Sequence, residues 1–299
     1  MIKVYHIATT IQDSIYFVPA YVMLYSLFEN NKDLKLNVYI LYKTLTETEK
    51  KSLEDLVKKY GNSIQWLPVE DQTIESYYIS SYLTVATYYR VYMPKMMPVE
   101  VDRVLFIDAD VIVSGPIREL LDTDMKTYPV MGVREAIPYH VERLGISAEY
   151  DYFNAGVLLF NLIEWRKNNY HEQIVANIEN KKSAYLLFDQ DALNELFYDR
   201  TSYLDAKWNH QTGFYHLSKP ALEKRYNHHA DEVLNNPSII HFTTQYKPWT
   251  YSCTHPFKPL FLSYLSKTPF VDFAQKPTLG LWIGKTIKRI KHKVNKILH

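Results

Sequence analysis

Glycine and cysteine are both scarce in this 299-residue chain, which has eight glycines and a single cysteine, Cys253. One cysteine forms no disulfide within the chain and excludes zinc sites built on paired cysteines. The glycines form neither a GxGxxG fingerprint nor a GxxxxGK[ST] loop, so the dinucleotide-binding fold and the P-loop lack their phosphate-binding segment. If this protein binds phosphates, a metal ion and side chains must hold them.

Long apolar runs are also lacking. No stretch approaches ~20 uninterrupted apolar residues, the length that spans a bilayer, and the amino terminus lacks the apolar run of a secretory signal. We therefore expect a cytoplasmic enzyme or binding protein. The net charge is +1, yet without the last fifteen residues the chain holds 28 basic and 33 acidic residues. This acidic body argues against a nucleic-acid partner.

Apolar periodicity predicts an α/β protein. Short apolar runs predict strands at Val4–Thr10, Lys35–Tyr42, Ile64–Val69, Arg103–Val113, Tyr128–Arg134, Gly156–Leu162 and Ser238–Phe242. Helices are predicted at Pro19–Asn30, from a Thr46–Glu49 capping box to Gly61, at Ser81–Met93 ahead of Pro94, at Ile163–Asn180 and at Asp191–Tyr198. Strands and helices alternate, so we expect right-handed βαβ crossovers and a largely parallel sheet in one domain, residues 1–270.

Two acidic residues lie in the middle of the predicted strand Arg103–Val113. A strand's period of two points Asp108 and Asp110 to the same side, with Cα atoms roughly 6.5 to 7 Å apart. Buried carboxylates need a cation beside them, and carboxylate oxygens suit Mg²⁺ or Mn²⁺, which often link carboxylates to substrate phosphates. The alternative is a strand that ends at Asp108, with Asp110 capping a turn. Spacing alone does not separate the two.

Other polar residues also lie at the ends of predicted strands or helices, where open α/β sheets bind ligands. His241 ends a strand and has a ring nitrogen suited to Mn²⁺, or it is a structural histidine. Lys247 precedes Pro-Trp and either neutralises a phosphate or is a surface lysine. Asp189 and Asp191 fit equally well as acids stabilised at a helix N-terminus.

Taken together and in order, these clusters resemble those of retaining glycosyltransferases of family 8, which include bacterial lipopolysaccharide galactosyl- and glucosyltransferases and glycogenin. The matching segments are Ala86–Arg90 (ATYYR), Leu105–Asp110 (LFIDAD), Tyr152–Val157 (YFNAGV), Asp189–Asp191 (DQD), Tyr203–Asp205 (YLD) with Lys207–Asn209 (KWN), and His241 with Lys247–Trp249 (KPW). The resemblance extends from about residue 3 to 265. One Asp-x-Asp pair is weak support for membership, whereas six ordered motifs are strong support.

The resemblance implies a GT-A fold, with a mixed and mostly parallel sheet flanked by helices. It also implies transfer of a hexose from UDP-glucose or UDP-galactose, with retention at the anomeric carbon, to a glycan or glycolipid acceptor. Asp108, Asp110 and His241 would hold Mn²⁺, or Mg²⁺, against the diphosphate. The metal would then act as a Lewis acid as UDP departs.

The family also implies which residues bind the donor. These are Ala8, Thr9, Thr10, Arg90, Asp108, Ala109, Asp110, Glu135, Asn154, Ala155, Asp189, Gln190, His241 and Lys247. Arg90 and Lys247 would assist at the diphosphate, and Asp189 or Gln190 would be the catalytic residue nearest the reacting carbon. Two mechanisms stay open, a covalent intermediate on Asp189 or same-face displacement of UDP by the acceptor oxygen.

Three positions depart from the family pattern. An acid usually follows the first strand, near the uracil, where this chain has Ala8-Thr9-Thr10. Thr244 replaces a usual glycine between His241 and Lys247, which alters close backbone approach to the phosphate. The acid expected near residue 130 is best matched by Glu135.

The segment 271–299 is predicted to be a separate basic tail. Its apolar residues Ile283, Ile287, Ile290, Val294 and Ile297 are spaced four, three, four and three, with lysines between them. Such a stripe predicts an amphipathic helix lying on an anionic membrane surface, so we expect peripheral attachment to the inner face of the plasma membrane. The alternative is a helix docked on the body or on a partner protein.

The principal competing function is a non-catalytic nucleotide-sugar or glycan-binding member of the same fold. Retention of Asp108, Asp110 and His241 argues against it, because a degenerate member would be expected to lose at least one of them. A metal-dependent phosphohydrolase would cleave the donor without any acceptor, and the sequence offers no second metal cluster for one.

Overall fold

The computed structural model describes residues 3–70, 85–137, 141–147, 149–181 and 185–276. The strands are β1 Val4–Ile11, β2 Lys35–Tyr42, β3 Ser63–Pro68, β4 Arg103–Ile107, β5 Val111–Val113, β6 Val130–Arg134, β7 Phe153–Asn161, β8 Ser202–Tyr203, β9 His210–Gln211 and β10 Ile239–His241. The α-helices are α1 Ser14–Asn30, α2 Glu47–Lys59, α3 Tyr89–Met96, α4 Arg118–Leu121, α5 Leu162–Lys167, α6 Tyr170–Lys181, α7 Phe188–Phe197, α8 Lys219–Tyr226, α9 Ala230–Asn235 and α10 Lys258–Leu265. Residues 277–299 of the predicted tail 271–299, and the first four residues of the predicted helix at 81–93, lie outside the described residues.

A seven-stranded sheet in the order β3-β2-β1-β4-β7-β6-β8 forms the centre of the protein. Strands β3, β2, β1 and β4 are parallel, β7 runs antiparallel to both of its neighbours, and β8 is parallel to β6. The expected mixed and mostly parallel sheet is therefore confirmed. The antiparallel β7 places the segment that follows Tyr152 at the same edge of the sheet as the end of β4.

Alternation along the strands divides the core into two layers. In β4, Leu105 and Ile107 pack on one face with α1, α2 and α10, whereas Val104 and Phe106 pack on the other with α3, α5, α6 and α7. Both faces are covered by helices, which is why the central strands read as continuous apolar runs. Helix α2 has the predicted capping box, with Thr46 Oγ1 accepting from Glu49 N at 3.2 Å and Glu49 Oε2 accepting from Thr46 N at 2.8 Å.

Two helices contain the prolines that were expected to bound them. Helix α1 begins at Ser14, because Asp13 caps it by accepting from Ile15 N at 2.9 Å, so Pro19 lies inside the helix. Helix α3 continues past Pro94 to Met96. Proline has a helix-compatible φ and removes one hydrogen bond, a loss that burial of residues 89–94 offsets.

Two other predicted helices have different bounds. The predicted helix 163–180 is divided into α5 and α6, because Asn169 adopts a positive φ of 51° between them. The predicted helix 191–198 begins earlier, at Phe188, so Asp189 and Asp191 both lie in the first turn of α7.

The predicted strand Arg103–Val113 is wrong as a single element. Strand β4 ends at Ile107, the chain turns at residues 108–110, and β5 joins a second sheet of order β5-β10-β9. Backbone hydrogen bonds hold both ends of the turn, from Asp108 N to Gly156 O at 2.8 Å and from Phe242 N to Asp110 O at 3.1 Å. The two carboxylates therefore converge because the chain turns, not because a strand alternates.

Asn194 in α7 should contribute strongly to stability because it fixes the start of β7. Its Oδ1 accepts from Phe153 N at 2.8 Å, and its Nδ2 donates to Phe153 O at 2.9 Å. We expect Asn194→Leu to lower the free energy of unfolding by about 3 kcal/mol in urea denaturation, because two buried backbone groups lose their partner. Asn168→Leu, at a half-buried site, should cost under ~1 kcal/mol. Equal losses would contradict this account.

Candidate metal centre and active site

Asp108, Asp110 and His241 form a cluster with metal-ligand chemistry. One ligand atom from each lies within 4.8 Å of the others, the only such group among the residues described. His241 Nε2 is 3.4 Å from Asp110 Oδ1 and 3.9 Å from Asp108 Oδ2. The antiparallel pairing of β10 with β5 sets His241 opposite Val111, directly beside Asp110. Two carboxylates and an imidazole suit Mn²⁺ or Mg²⁺.

Two cations contact the same carboxylates. Arg90 Nη2 donates to Asp108 Oδ1 at 2.9 Å, and Lys247 Nζ donates to Asp110 Oδ2 and, at 2.9 Å, to Phe242 O. Burial raises the pKa of Asp108, and the neighbouring Asp110 raises it further, although Arg90 opposes both. Burial also acts to raise the pKa of Asp110, but Lys247 and His241 outweigh it and hold that pKa well below its usual range.

Asp189 lies behind this cluster, in the first turn of α7. Its Oδ2 is 2.7 Å from Arg90 Nε, so one guanidinium connects it to Asp108. Asp189 is 3% exposed. Burial raises its pKa to about 7, against the attraction of Arg90 and with a contribution from Asp108.

Asp191, two residues further on, makes hydrogen bonds that hold the local fold together instead of contacting the metal-type cluster. It accepts from Arg143 Nη2 at 2.6 Å and from Tyr152 OH at 2.6 Å. The backbone N–H groups of Leu186 and Leu187 donate to its other oxygen at 2.7 and 2.8 Å. Asp191 thus fixes the segment that leads into α7, and it lies in the first turn of that helix, where the alternative interpretation expected an acid.

A hydrogen-bonded network lies on the other side of the cluster. Asn154 Nδ2 donates to Glu135 Oε2 at 2.8 Å, and Gln190 Nε2 donates to the same oxygen at 3.2 Å. Gln190 Oε1 accepts from Ala155 N at 2.8 Å, while Ala155 O accepts from Arg90 Nη1. The structure thus brings together every predicted site residue from Arg90 onward, including Ala109, which is buried within the 108–110 turn.

The three predicted donor-binding residues Ala8, Thr9 and Thr10 lie in strand β1, and none of them belongs to this hydrogen-bonded network. Ala8 and Thr9 are fully buried, Thr9 Oγ1 has no hydrogen-bond partner within the described part of the chain, and Thr10 is half-buried. Strand β1 continues to Ile11, so the loop after it contains Asp13, and an acid does follow the first strand. The sequence interpretation missed this because it ended the strand at Thr10.

Three further residues of the site were not among the sequence candidates. The Tyr16 ring packs edge-on against Trp249, with ring centroids 6.2 Å apart, and burial raises the pKa of Tyr16, with contributions from Asp110 and Asp108. Asn209 Oδ1 lies 3.0 Å from His241 Nδ1. Gly156 lies against the His241 ring, where an added Cβ would be 2.0 Å from Cε1. Asn209 and Gly156 both lie within the motifs quoted above, so the sequence could have indicated them as site residues. Tyr16 lies in none of those motifs.

The fold is that of a GT-A nucleotide-sugar transferase. It is similar to the crystal structure of the galactosyltransferase LgtC in complex with donor and acceptor sugar analogues, with a TM-score of 0.79 and 22% identity. The match covers 94% of this chain and 99% of LgtC. The predicted GT-A fold is therefore confirmed.

Sequence comparison gives the family. The profile of glycosyl transferase family 8 matches residues 6–253. General stress protein A of Bacillus subtilis (strain 168) is 31% identical, over 82% of this chain and 88% of its own length. A lipopolysaccharide 1,2-glucosyltransferase of Escherichia coli is 26% identical, over 94% of this chain and 81% of its own. The chain belongs to glycosyl transferase family 8, as the ordered motifs indicated.

The close contact at Gly156 yields a test of the cluster. In Gly156→Ala the new methyl would overlap His241 Cε1 and lie 2.9 Å from Asp108 Oδ2, so the imidazole must move away from the carboxylates. We expect Mn²⁺ affinity, measured by electron paramagnetic resonance titration, to fall at least ~10-fold. Gly115→Ala is the control, because its methyl meets Ser238 Oγ at 3.2 Å, away from the cluster. Unchanged affinity in Gly156→Ala would contradict the assignment of His241 as a ligand.

Proposed function

We propose that this protein is a metal-dependent retaining glycosyltransferase. It transfers glucose or galactose from a UDP-sugar to a glycan or glycolipid acceptor of the cell envelope. The observation that carries the proposal is the Asp108–Asp110–His241 cluster, three ligand atoms within 4.8 Å of one another in a family 8 chain. Related proteins that act on lipopolysaccharide, such as the Escherichia coli 1,2-glucosyltransferase, support the choice of sugar and acceptor.

The charges around the cluster support a bound divalent cation. Asp108, Asp110 and Asp189 are three acids, and Arg90 and Lys247 are the two cations that pair with them. When all three carboxylates are ionised, their negative charge exceeds the positive charge of Arg90 and Lys247, and a divalent ion would offset the excess. Mn²⁺, or Mg²⁺ in its place, supplies Lewis-acid stabilisation of the negative charge that develops on departing UDP.

In this proposal the cations have a second role when the donor binds. Lys247 donates to Phe242 O as well as to Asp110, so the backbone contact would keep its ammonium group at the cluster even if Asp110 were a metal ligand. There it would neutralise the diphosphate. Arg90 keeps Asp108 and Asp189 in one orientation and adds positive charge behind the donor.

Asp189 and Gln190 would lie nearest the anomeric carbon, with Asn154 and Glu135 towards the sugar hydroxyls. Of the two mechanisms, same-face displacement is favoured by the ion pair between Asp189 and Arg90, which a nucleophilic Asp189 would have to weaken. In that step the bond from the anomeric carbon to the UDP oxygen breaks as the bond to the acceptor oxygen forms. The acceptor proton passes to the departing phosphate oxygen.

Release of UDP tests the proposal. The wild-type protein should release UDP from UDP-glucose or UDP-galactose only with a divalent ion, Mn²⁺ or Mg²⁺, and an acceptor, and GDP-sugars should give no release of GDP. Asp110→Asn removes a metal ligand and should lower the rate at least ~100-fold. Asp33→Asn is the control, because Asp33 is exposed and pairs with Arg118.

Metal-independent release, or full activity in Asp110→Asn, would overturn the proposed role of the cluster. Binding of UDP-sugars without any acceptor-dependent release would favour the non-catalytic alternative.

The basic tail completes the proposal. Gln275 N donates to Trp249 O at 2.8 Å, and Tyr251 N donates to Gln275 Oε1 at 2.9 Å, so the chain leaves its described part beside the segment that carries Lys247. We propose that the tail 271–299 binds the cytoplasmic face of the plasma membrane and brings the active-site edge to lipid-linked acceptors. Within the described ranges no helix is long and apolar enough to cross a bilayer.

Liposome sedimentation tests the tail. The full-length protein should sediment with vesicles rich in anionic lipid and not with neutral vesicles, and high salt should release it because the attraction is screened. A chain ending at Thr278 should stay in the supernatant. Equal sedimentation of the two proteins would rule out the tail as the membrane contact.

A further inference from the structure

The two ring nitrogens of His241 face different groups. Nε2 faces the carboxylates of Asp110 and Asp108, at 3.4 and 3.9 Å. Nδ1 faces the side-chain amide of Asn209 at 3.0 Å. A ring nitrogen can bind a metal only through its lone pair, so the proton of the neutral ring must be on Nδ1 for Nε2 to be the ligand.

The orientation of the Asn209 amide follows from its neighbours. Gly156 N is a backbone donor, and it lies 3.0 Å from Asn154 Oδ1, so that atom is an acceptor. The Asn209 amide lies 2.8 Å from the same oxygen, and only its NH₂ group can donate there. Asn209 Oδ1 therefore faces His241 Nδ1, where it can accept but not donate.

The fold gives Asn209 little freedom to turn. It is fully buried and ends the short helix Ala206–Trp208, with its backbone N donating to Ala206 O at 3.2 Å. The next two residues form β9, which pairs with β10 so that Gln211 lies opposite His241. The backbone thus sets the spacing between Asn209 and the histidine.

We propose that Asn209 is a positioning residue that keeps the proton of His241 on Nδ1 and leaves the Nε2 lone pair directed at the metal position. This inference rests on the proposed metal site and adds a residue outside the ligand set. Without an acceptor at Nδ1, the ring would place its single proton on Nε2, towards Asp110, and would have no lone pair there. Metal binding would then require a prior change of tautomer.

The test uses the full-length protein and Mn²⁺ alone as the probe. Asn209→Leu is close in size but offers no acceptor, and Asn209→Asp keeps an oxygen at Nδ1. By electron paramagnetic resonance titration, we expect Asn209→Leu to bind Mn²⁺ about 10- to 100-fold more weakly and Asn209→Asp to recover most of that loss. Asn31→Leu is the matched control, because Asn31 is also buried and accepts from Ile117 N at 2.9 Å but lies outside the cluster.

Nitrogen-15 NMR of labelled histidine reports directly which ring nitrogen of His241 carries the proton, which metal affinity does not. In the metal-free protein, at a pH high enough for the ring to be neutral, the His241 Nδ1 signal, identified by its loss in His241→Gln, should be that of a protonated nitrogen in wild type and Asn209→Asp. In Asn209→Leu it should be that of an unprotonated one.

An unprotonated Nδ1 in the wild-type protein would overturn the inference. So would Mn²⁺ affinity in Asn209→Leu equal to wild type, or an equal loss in Asn31→Leu. If wild type binds no Mn²⁺, the proposed function fails, and the NMR signal alone decides the tautomer.

Discussion

Burial of negative charge is the constraint on which the rest of this structure depends. Asp110 and Asp189 are buried and Asp108 is half-buried among apolar strands and helices, where an unpaired carboxylate is strongly unfavourable. Arg90 pairs with two of them and Lys247 with the third. Because three acids face two permanent cations, the cluster is electrostatically suited to receive one more cation. In the proposed function, this balance would allow a metal ion and the diphosphate of the donor to bind together.

The fold brings these groups to one edge by changing sheets there. The chain leaves the large sheet at Ile107, turns through the acidic pair, and enters the small sheet at Val111. Strand β10 returns antiparallel to β5 and brings His241 to the turn. Helix α7 begins at the same edge and supplies Asp189 and Gln190 from its first turn. Ligand sites in open α/β sheets occur at such switch points, because strand ends diverge and leave space.

Around this edge, hydrogen bonds determine which way each polar group points. The path runs from His241 through Asn209 and Asn154 to Glu135, which also accepts from Gln190. Each bond limits the orientation of the next amide, so the Asp108–Asp110–His241 cluster and the side chains of Asn154, Glu135 and Gln190 belong to one network. Such networks are rigid only when every member is satisfied. A change in the orientation of one side-chain amide, such as that of Asn209, therefore affects the orientation of its neighbours in the network.

The sequence by itself determined the α/β class, the capping box of α2, the family and the three candidate metal ligands Asp108, Asp110 and His241. It could do so because the spacing of apolar residues and the order of the motifs can be read along the chain. It could not show that the Asp108 strand breaks, since an apolar run reads the same on both sides of a turn. Nor could it show that Pro19 and Pro94 lie inside helices, where buried packing outweighs a lost hydrogen bond. Only the tertiary structure decided that Asn209 meets His241 and that Gly156 borders the cluster, because those contacts join residues far apart in the chain.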